Sequence, residues 1–556
     1  MSQNKHIFNI PNLFVEHGIN QVIICAGSRS APLTLAFTRN NKINSTVVFD
    51  ERSAGYIALG MALCLQKPVV IICTSGTAVA NLNPAVCEAY YQKVPLIILT
   101  ADRPPEWIGQ GDGQTINQNN FFYPNIKKYY QLPVDSIHTD SEWAVGRMIN
   151  ESILISNSGA KGPVHVNIPM REPLYHSLNE SAINYRPVKV FDTEIQLSKS
   201  GWDQVISLLL EHRKIAIIAG QLSPDPQFKT ILRSFLERNN IPLVADINSN
   251  LQDLPNAIIN NDIIFGKHGS EILPDVIITI GNHILSKNIK KYFRANPTKV
   301  QLKITDSDEI EDTFKGITHH LVMSPKLFFT ELLNKVKLNV DSNFLLNFQK
   351  LDAEVESRKT NFFKSGNFGE FDVFKCVLEN IPDQSILHFS NSLSVRYGSL
   401  IGSKNTINYC NRGTSGIDGC TSTAMGMSML TDKFVTLITG DMSFFYDRNA
   451  FWLENTPSNI RIILLNNSGG AIFGTLPDAS KQPELNRFFV TQQKYSALHL
   501  AKEYGIEYTQ ISDLKGLAAK LKNFYTPSKA LKIIEFKCEN SEAIARLNSY
   551  IESAKS

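Results

Sequence analysis

The sequence predicts an α/β protein of three consecutive domains, each with a mainly parallel sheet flanked by helices. Short apolar runs alternate with stretches compatible with helices along almost the whole chain, which is typical of parallel α/β architecture. The length of 556 residues is more than one hydrophobic core accommodates. Two polar stretches, 172–200 and 338–370, interrupt the alternation and are interpreted as inter-domain connections. We therefore predict domains at 1–180, 195–338 and 360–556.

The predicted strands are short runs rich in Val, Ile and Leu, and those of the first domain end in Gly, Ser or Asp before a plausible helix. In chain order they are 22–27, 47–50, 69–76, 95–102, 214–220, 275–281, 299–304, 385–390, 435–441, 460–470 and 530–537. Parallel sheets bind their ligands at the carboxyl ends of the strands. The residues that follow these runs are therefore the candidates for function.

Composition and charge exclude several classes of protein. The net charge is +3 with no block of Lys or Arg, which argues against nucleic acid or an anionic membrane as a partner. No apolar run reaches the roughly 18–20 residues that span a bilayer, and the first residues lack the apolar region of a signal peptide. The eight cysteines are scattered without a CxxC pair, so we expect a cytoplasmic protein with reduced thiols.

A candidate metal and phosphate site lies in the last domain. One strand delivers Asp441 at its carboxyl end, and the next delivers Asn467, 26 positions later. A helix at about 446–456 and a crossover would fill the interval, so that both strand ends meet on one edge of the sheet. A carboxylate, an amide oxygen and the Gly469 carbonyl are the hard oxygen ligands that Mg²⁺ prefers. Gly440 would let the backbone approach a diphosphate closely.

Either strand end alone is explained by the turn residues expected there. Together, at this spacing, GD and NN resemble the thiamine-diphosphate (ThDP) binding motif, with Met442 in place of the commoner third glycine. Such enzymes also need a glutamate from another domain, and Glu51 heads a predicted helix in the first. Its carboxyl, hydrogen-bonded to the cofactor's aminopyrimidine ring, would favour the reactive imino tautomer. The alternative is that Glu51 only stabilises the helix N-terminus.

Four arginines in Gly- and Ser-rich segments of the two outer domains predict a polyanionic substrate, because the guanidinium fork binds carboxylates. Each arginine alone is better explained by a surface salt bridge. The four are Arg29, which follows Ser28, then Arg103, Arg396, which comes one helical turn after Ser392, and Arg412.

Longer segments resemble one known family, the ThDP-dependent 2-succinyl-5-enolpyruvyl-6-hydroxy-3-cyclohexene-1-carboxylate (SEPHCHC) synthases of menaquinone biosynthesis. The middle domain matches poorly apart from Ser286-Lys287, and Asn288 stands where some members have Arg. The segments that carry the resemblance are CAGSRSAPLT (25–34), FDERSAGYIALGMA (49–62), LTADRPPEWIGQGDGQT (99–115), NSLSVR (391–396), NRGTSGIDGCTSTAMG (411–426), GDMSFFYDRNA (440–450) and NNSGGAIFGTLP (466–477).

The resemblance implies a transferase that decarboxylates 2-oxoglutarate and adds the remaining unit to isochorismate, with ThDP and Mg²⁺ (or Mn²⁺) as cofactors. It further implies a homodimer or homotetramer with the active site at a subunit interface, so that Glu51 and Asp441 meet between two chains.

The resemblance also implies roles for individual residues. Catalytic positions are Glu51, Arg29, Gln114, Arg396, Arg412 and Ser392. Cofactor-binding positions are Glu51, Ser392, Ile417, Gly440, Asp441, Met442, Ser443, Asn467, Gly469 and Ile472, of which Asp441, Asn467 and Gly469 are the metal ligands. Substrate-binding positions are Ser28, Arg29, Arg103, Gln114, Lys287, Ser392, Arg396, Arg412, Phe473 and Leu476. For Ile417, Ile472, Phe473 and Leu476, plain core packing is an equal alternative.

Three alternatives remain at this point. An acetolactate synthase or simple 2-oxo acid decarboxylase would share the motifs but leave the arginines unexplained. A non-catalytic protein of the same fold would have no need of Glu51 or Asp441. A dinucleotide-binding dehydrogenase is disfavoured because no convincing G-x-G-x-x-G follows a strand.

Overall fold

The computed structural model describes residues 5–135, 138–175, 183–191, 193–364, 368–403 and 405–555. It contains three sheets of six strands each, and every pair of neighbouring strands in them is parallel. The predicted fold class is confirmed. Among the described helices, none is both long enough and apolar enough to cross a membrane.

The first sheet has the strand order β2-β1-β3-β4-β6-β5. Its strands are β1 (Gln21–Ile24), β2 (Asn44–Val47), β3 (Val69–Cys73), β4 (Leu96–Asp102), β5 (Lys128–Gln131) and β6 (Val164–Pro169). Its helices are α1 (Ile10–Glu16), α2 (Ala31–Thr38), α3 (Glu51–Leu65), α4 (Thr77–Asn81), α5 (Asn83–Gln92) and α6 (Thr139–Asn157).

The middle sheet has the order β12-β11-β10-β7-β8-β9. Its strands are β7 (Ile215–Ala219), β8 (Leu243–Ala245), β9 (Ala257–Ile258), β10 (Val276–Ile280), β11 (Val300–Thr305) and β12 (His319–Val322). Its helices are α7 (Lys199–Leu210), α8 (Pro226–Asn239), α9 (Asn261–Lys267), α10 (Lys287–Ala295) and α11 (Pro325–Lys335), and α12 (Ser342–Lys364) leads to the last domain.

The last sheet has the order β14-β13-β15-β16-β18-β17. Its strands are β13 (Ile386–Phe389), β14 (Ile407–Cys410), β15 (Val435–Gly440), β16 (Ile460–Asn466), β17 (Glu507–Ile511) and β18 (Lys532–Lys537). Its helices are α13 (Glu370–Asn380), α14 (Leu393–Ile401), α15 (Cys420–Ser428), α16 (Asp441–Tyr446), α17 (Ala497–Glu503), α18 (Leu517–Phe524) and α19 (Asn540–Lys555). The strand order reverses between β13 and β15, where such sheets bind ligands.

Three expectations about elements need correction. The predicted strand 47–50 is wrong beyond Val47, because Val48 forms an isolated antiparallel bridge with Leu453 and Asp50 caps α3. The connection predicted at 338–370 is largely a helix of 23 residues, which buries Phe344 and Phe348 on its apolar face. Seven strands were not predicted from the apolar runs. Most of them are short, polar or at a sheet edge, whereas β6 is buried. They are β5, β6, β8, β9, β12, β14 and β17.

Each sheet falls inside one of the three predicted domain ranges. The boundaries themselves stay predictions, and the predicted end of the first domain at residue 180 lies outside the described residues.

The first and last domains of one chain pack closely through α3 and α15. A Cβ at Gly426 would lie 2.0 Å from the Ile57 carbonyl oxygen, and one at Gly60 would lie 2.0 Å from the Thr423 carbonyl oxygen. The two glycines therefore allow the helix backbones to meet directly. Residues of both helices belong to one buried apolar cluster.

Replacing Gly426 with Ala should destabilise the protein. Alanine would improve the helix propensity by up to about 1 kcal/mol, but the new methyl collides with a backbone carbonyl that has no room to move. We expect the thermal unfolding midpoint, measured by calorimetry, to fall by several degrees. Gly201→Ala in α7 is the control, since its nearest neighbour is a flexible Leu197 methyl at 3.3 Å. An equal or higher midpoint for Gly426→Ala would contradict the close packing of the two helices.

Candidate active site

A cavity of about 660 Å³ opens at the carboxyl ends of β13, β15 and β16. It brings together most residues predicted from the last domain and one from the middle domain. These are Lys287, Ser392, Arg396, Arg412, Ile417, Gly440, Asp441, Met442, Ser443, Asn467, Gly469, Ile472, Phe473 and Leu476. Their placement agrees with one shared site, and their roles remain predictions.

Asp441 is the first residue of α16, directly after β15, and only 2% of it is exposed. Its Oδ2 accepts a hydrogen bond from Gln493 Nε2 at 2.5 Å. Burial raises the pKa of the Asp441 carboxyl to about 6, because the hydrogen bonds that it accepts from Gln493 and from the Met442 and Gly469 backbone offset only part of the lost hydration. The helix predicted at 446–456 is wrong: Asp441 itself begins the helix, which ends at Tyr446.

Asn467 lies at the end of β16, and its amide has a defined orientation. Its Nδ2 donates to Glu370 Oε2 at 2.7 Å, which leaves Oδ1 to face Asn540 Nδ2 at 3.4 Å and any bound cation. Glu370 is buried at the start of α13, and this burial raises the pKa of its carboxyl to about 7. The pair therefore presents an amide oxygen, as a metal ligand requires.

The backbone around Gly469 is suited to a phosphate. Gly469 has a φ of +151°, and a Cβ there would lie 2.7 Å from the Val490 carbonyl oxygen, so only glycine fits. A Cβ at Gly440 would meet nothing within 4 Å, which leaves open space beside Asp441. Among the described residues, no three His, Cys, Asp or Glu side chains form a metal-binding group. A cation here would therefore depend on amide and carbonyl oxygens together with Asp441, and these hard donors fit Mg²⁺.

The cavity carries a cluster of positive charge. Arg396 Nη1 donates to the Ser392 carbonyl at 2.8 Å, and Arg412 Nη1 donates to Asn391 Oδ1 at 2.9 Å. Burial, and after it the charge of Arg412, lowers the pKa of Arg396. Lys287, the first residue of α10, adds a cation from the middle domain. Such a cluster suits a ligand with more than one carboxylate.

Two further predicted residues of the cavity contact each other. Ile417 is 36% exposed although it is apolar, and its carbonyl accepts a hydrogen bond from Ser443 Oγ at 2.6 Å. This hydrogen bond fixes the Ile417 backbone at the cavity wall.

The residues predicted from the first domain do not line this cavity. Arg29 and Arg103 line a second one of about 410 Å³, in which Glu172 accepts from Arg29 Nη2 at 3.1 Å. Burial, and after it the charge of Arg103, lowers the pKa of Arg29. Ser28 and Gln114 are exposed, and Gln114 has a φ of +52°. One chain thus carries two separate groups of candidate residues.

Glu51 also lies in the first domain, outside the cavity of the last domain. It is half-buried at the start of α3, and its Oε2 accepts from Asn81 Nδ2 at 3.2 Å. Asp50 caps the helix through the Arg52 and Ser53 backbone N–H groups, so Glu51 itself is not needed as the cap.

The sequence did not predict several residues that line the cavity or that form hydrogen bonds with its lining residues. Glu370 fell in a predicted connection, and Gln493 carries no motif, so neither gave a signal. Asn391 directly precedes Ser392 in the segment NSLSVR (391–396), so the family resemblance could have indicated it. Phe488, Phe489, Val490 and Thr491 also line the cavity, from a π-helical turn that no periodicity indicated.

Fold, site and family comparison agree on the class of protein. Residues 10–121 match the family described as "Thiamine pyrophosphate enzyme, N-terminal TPP binding domain", and residues 397–536 match "Thiamine pyrophosphate enzyme, C-terminal TPP binding domain". The protein is therefore a ThDP enzyme, with ThDP-binding domains at both ends of the chain.

Within this class, the chain belongs to the family of 2-succinyl-5-enolpyruvyl-6-hydroxy-3-cyclohexene-1-carboxylate synthases. It is 39% identical to the Cytophaga hutchinsonii synthase, over 99% of each chain. It is 37% identical to that of Flavobacterium johnsoniae, over 93% of each, and 31% identical to that of Porphyromonas gingivalis, over 99% of this chain and 97% of the other. The family predicted from the motifs is confirmed.

Solved structures support the fold alone. A benzoylformate decarboxylase from Polynucleobacter necessarius matches with a TM-score of 0.74 at 17% identity, over 97% of this chain and 99% of that one. A ThDP-dependent 4-hydroxybenzoylformate decarboxylase from Rhodococcus jostii matches with a TM-score of 0.69 at 16% identity, over the same shares.

Proposed function

We propose that this protein decarboxylates 2-oxoglutarate and adds the remaining succinic-semialdehyde unit to isochorismate in a 1,4-addition. The products are CO₂ and 2-succinyl-5-enolpyruvyl-6-hydroxy-3-cyclohexene-1-carboxylate, in menaquinone biosynthesis. The observation that carries the proposal is one cavity that combines oxygen ligands for a metal with a cationic cluster, in a chain of the synthase family. ThDP, when bound, supplies the carbon nucleophile for the 2-oxo acid and accommodates the electron pair left by the loss of CO₂.

The residues of the last domain would hold the cofactor. Asp441, Asn467 Oδ1 and the Gly469 carbonyl would bind Mg²⁺ or Mn²⁺. Gly440, Met442 and Ser443 would lie along the diphosphate, at the N-terminal end of a helix turn. Ser392, Ile417 and Ile472 would contact the rings, with Ile417 supporting them from one side. The buried Asp441 carboxylate and the open space at Gly440 support this arrangement.

The cationic residues would bind the two dicarboxylates. Arg396, Arg412 and Lys287 line the cavity directly, so they would orient substrate carboxylates beside the metal. Phe473 and Leu476 would cover the apolar parts and exclude water. Ser28, Arg29, Arg103 and Gln114 would complete the substrate pocket from the first domain of a second copy.

Glu51 would hold and exchange a proton at the aminopyrimidine nitrogen of the cofactor. Within one chain, Glu51 and Asp441 belong to separate groups of residues, so we propose that two copies of the chain pair to form each site. This pairing requires a dimer, or a tetramer built from such dimers. We also propose a cytoplasmic location, which the eight unpaired cysteines support.

A direct assay tests the proposed reaction. Purified protein with ThDP, Mg²⁺, 2-oxoglutarate and isochorismate should consume isochorismate. The product mass should equal the sum of both substrates less CO₂. Release of CO₂ from a 2-oxo acid without loss of isochorismate would keep the ThDP class and contradict this substrate pair.

The remaining alternatives predict different results in the same assay. An acetolactate synthase or simple decarboxylase would turn over pyruvate or another 2-oxo acid alone. A non-catalytic protein would bind no ThDP or would leave both substrates unchanged. A dehydrogenase would need a nicotinamide cofactor. Membership in the synthase family favours none of the three.

The surface next to Glu51 supports self-association. Phe49 is 59% exposed and Trp452 is 48% exposed, and their rings lie 4.4 Å apart. Val47 and Tyr446 are also more than half exposed. We call the contacting pair of Phe49 and Trp452 the aromatic patch. Apolar surface of this kind next to a catalytic candidate is typical of an interface.

Replacing Phe49 with Asp should weaken the assembly. A charge in the aromatic patch would lose its hydration on association, which costs more than the lost contact alone. We expect light scattering to show a shift from a dimer or larger species towards the 62.2 kDa monomer, with lower activity per chain at low concentration. Phe191→Asp, at an exposed aromatic outside the aromatic patch, is the control. A dimer of unchanged strength would place the interface elsewhere.

A further inference from the structure

A carboxylate of the first domain holds a loop of the last domain in the same chain. Glu88 lies on α5 and is only 1% exposed. Its two oxygens accept hydrogen bonds from the Gly413 backbone N–H, the Thr414 backbone N–H and the Thr414 hydroxyl, each at 2.7 Å. No functional role in the site has been assigned to Glu88 above.

The loop that Glu88 holds begins at Arg412. A Cβ on Gly413 would lie 2.4 Å from the Glu88 carbonyl oxygen, so α5 and the loop backbone are in direct contact. On its other side, Arg412 donates from Nη1 to Asn391 Oδ1. The backbone after Arg412 and one end of its guanidinium are therefore both fixed.

The fixed guanidinium keeps binding capacity for a ligand. Arg412 Nε is buried and has no hydrogen-bond partner among the described residues. Glu88 accepts from the backbone that follows Arg412, so the bonds shown for its carboxylate do not use the Nε donor. A buried donor without a partner is costly unless a ligand satisfies it.

We propose that Glu88 is the positioning residue for Arg412, and this inference rests on the proposed function. The carboxylate sets where the arginine presents its free donors, and so governs how tightly a substrate carboxylate binds. A carboxylate is required because both its oxygens face N–H donors. An amide at this position would turn an NH₂ group towards one of them.

A double-mutant cycle tests the proposal. Glu88→Gln should raise the KM for 2-oxoglutarate or for isochorismate by about tenfold or more, the loss expected for a charged hydrogen-bonded contact. The kcat should change much less, and the affinity for ThDP with Mg²⁺ should stay as in the wild type. In an Arg412→Ala background, Glu88→Gln should produce no further rise, because it acts through the arginine.

Thr414→Val provides a second, milder variant at an exposed position. It removes the hydroxyl donor to Glu88 and keeps both backbone donors, so the same KM should rise by a smaller factor. Asp352→Asn is the matched control. Asp352 accepts from the Asn260 backbone N–H at 2.8 Å, away from the cavity, and its KM values should match the wild type.

Two results would overturn the positioning role. One is an unchanged KM in both Glu88→Gln and Thr414→Val. The other is an equal effect of the Glu88 substitution with and without Arg412, which would show a general structural role. Failure of the wild-type protein to convert isochorismate would instead contradict the proposed function, so the two failures are distinguishable.

Discussion

Glu51→Gln should lower kcat by about 10²-fold or more, the range that positioned acid–base groups contribute. Glutamine has the same shape and can still accept from Asn81, so the fold at the start of α3 should persist. What it loses is the exchangeable proton that the proposed function needs at the cofactor ring. Cofactor affinity should change little, because the residues proposed to hold the metal and the diphosphate lie in the last domain.

The measurement is single-turnover loss of isochorismate, together with ThDP affinity from calorimetry. Glu142→Gln is a matched control, since Glu142 is also a first-turn acid of a helix and forms an ion pair with Lys5 at 2.8 Å. A charge near a helix N-terminus contributes about 0.3–1 kcal/mol, far less than the barrier change expected for Glu51. A similar loss of rate in the two variants would show that Glu51 only stabilises the N-terminus of its helix.

The sequence predicted the parts of the site that local patterns encode. Asp441 and Asn467 each directly follow a buried strand, and the order of parallel strands brings such strand ends together. The position of strand β2 was predicted wrongly because Val48 has a high strand propensity. In the structure, Val48 instead pairs with Leu453 of the last domain. Local propensity does not contain that long-range contact.

For a related reason, the residues that orient the side chains of the site could not be predicted from the sequence. Glu370 contacts Asn467 from 97 positions away, and Glu88 contacts Thr414 from 326 positions away. Neither residue repeats with a period or belongs to a motif, so only the folded chain shows what each one contacts. Likewise, the aromatic patch beside Glu51 is visible only because the structure leaves Phe49 and Trp452 exposed.

Asp441→Asn should abolish the stabilisation that ThDP and Mg²⁺ give to the folded protein. The substitution removes the one charged ligand proposed for the metal and keeps the size of the side chain. Without ligands, the variant should be at least as stable as the wild type, because the raised pKa of Asp441 shows that its hydrogen bonds do not fully offset the cost of burying the charge. The readout is the thermal unfolding midpoint with and without ligands. A ligand at 100 times its Kd stabilises by about 2.7 kcal/mol, a shift that is easily resolved.

Asp447→Asn separates this effect from the loss of any buried acid in the same segment. Asp447 follows α16 directly and is fully buried, but it accepts from the Ser422 backbone N–H and hydroxyl at 2.7 and 2.8 Å instead of facing the cavity. Its substitution should preserve the shift in midpoint produced by ThDP with Mg²⁺. If Asp441→Asn also preserved that shift, the cation would have to be held by other oxygens. The assignment of Asp441 as the charged ligand would then fail, and Asn467 and Gly469 would each have to be tested by a substitution of its own.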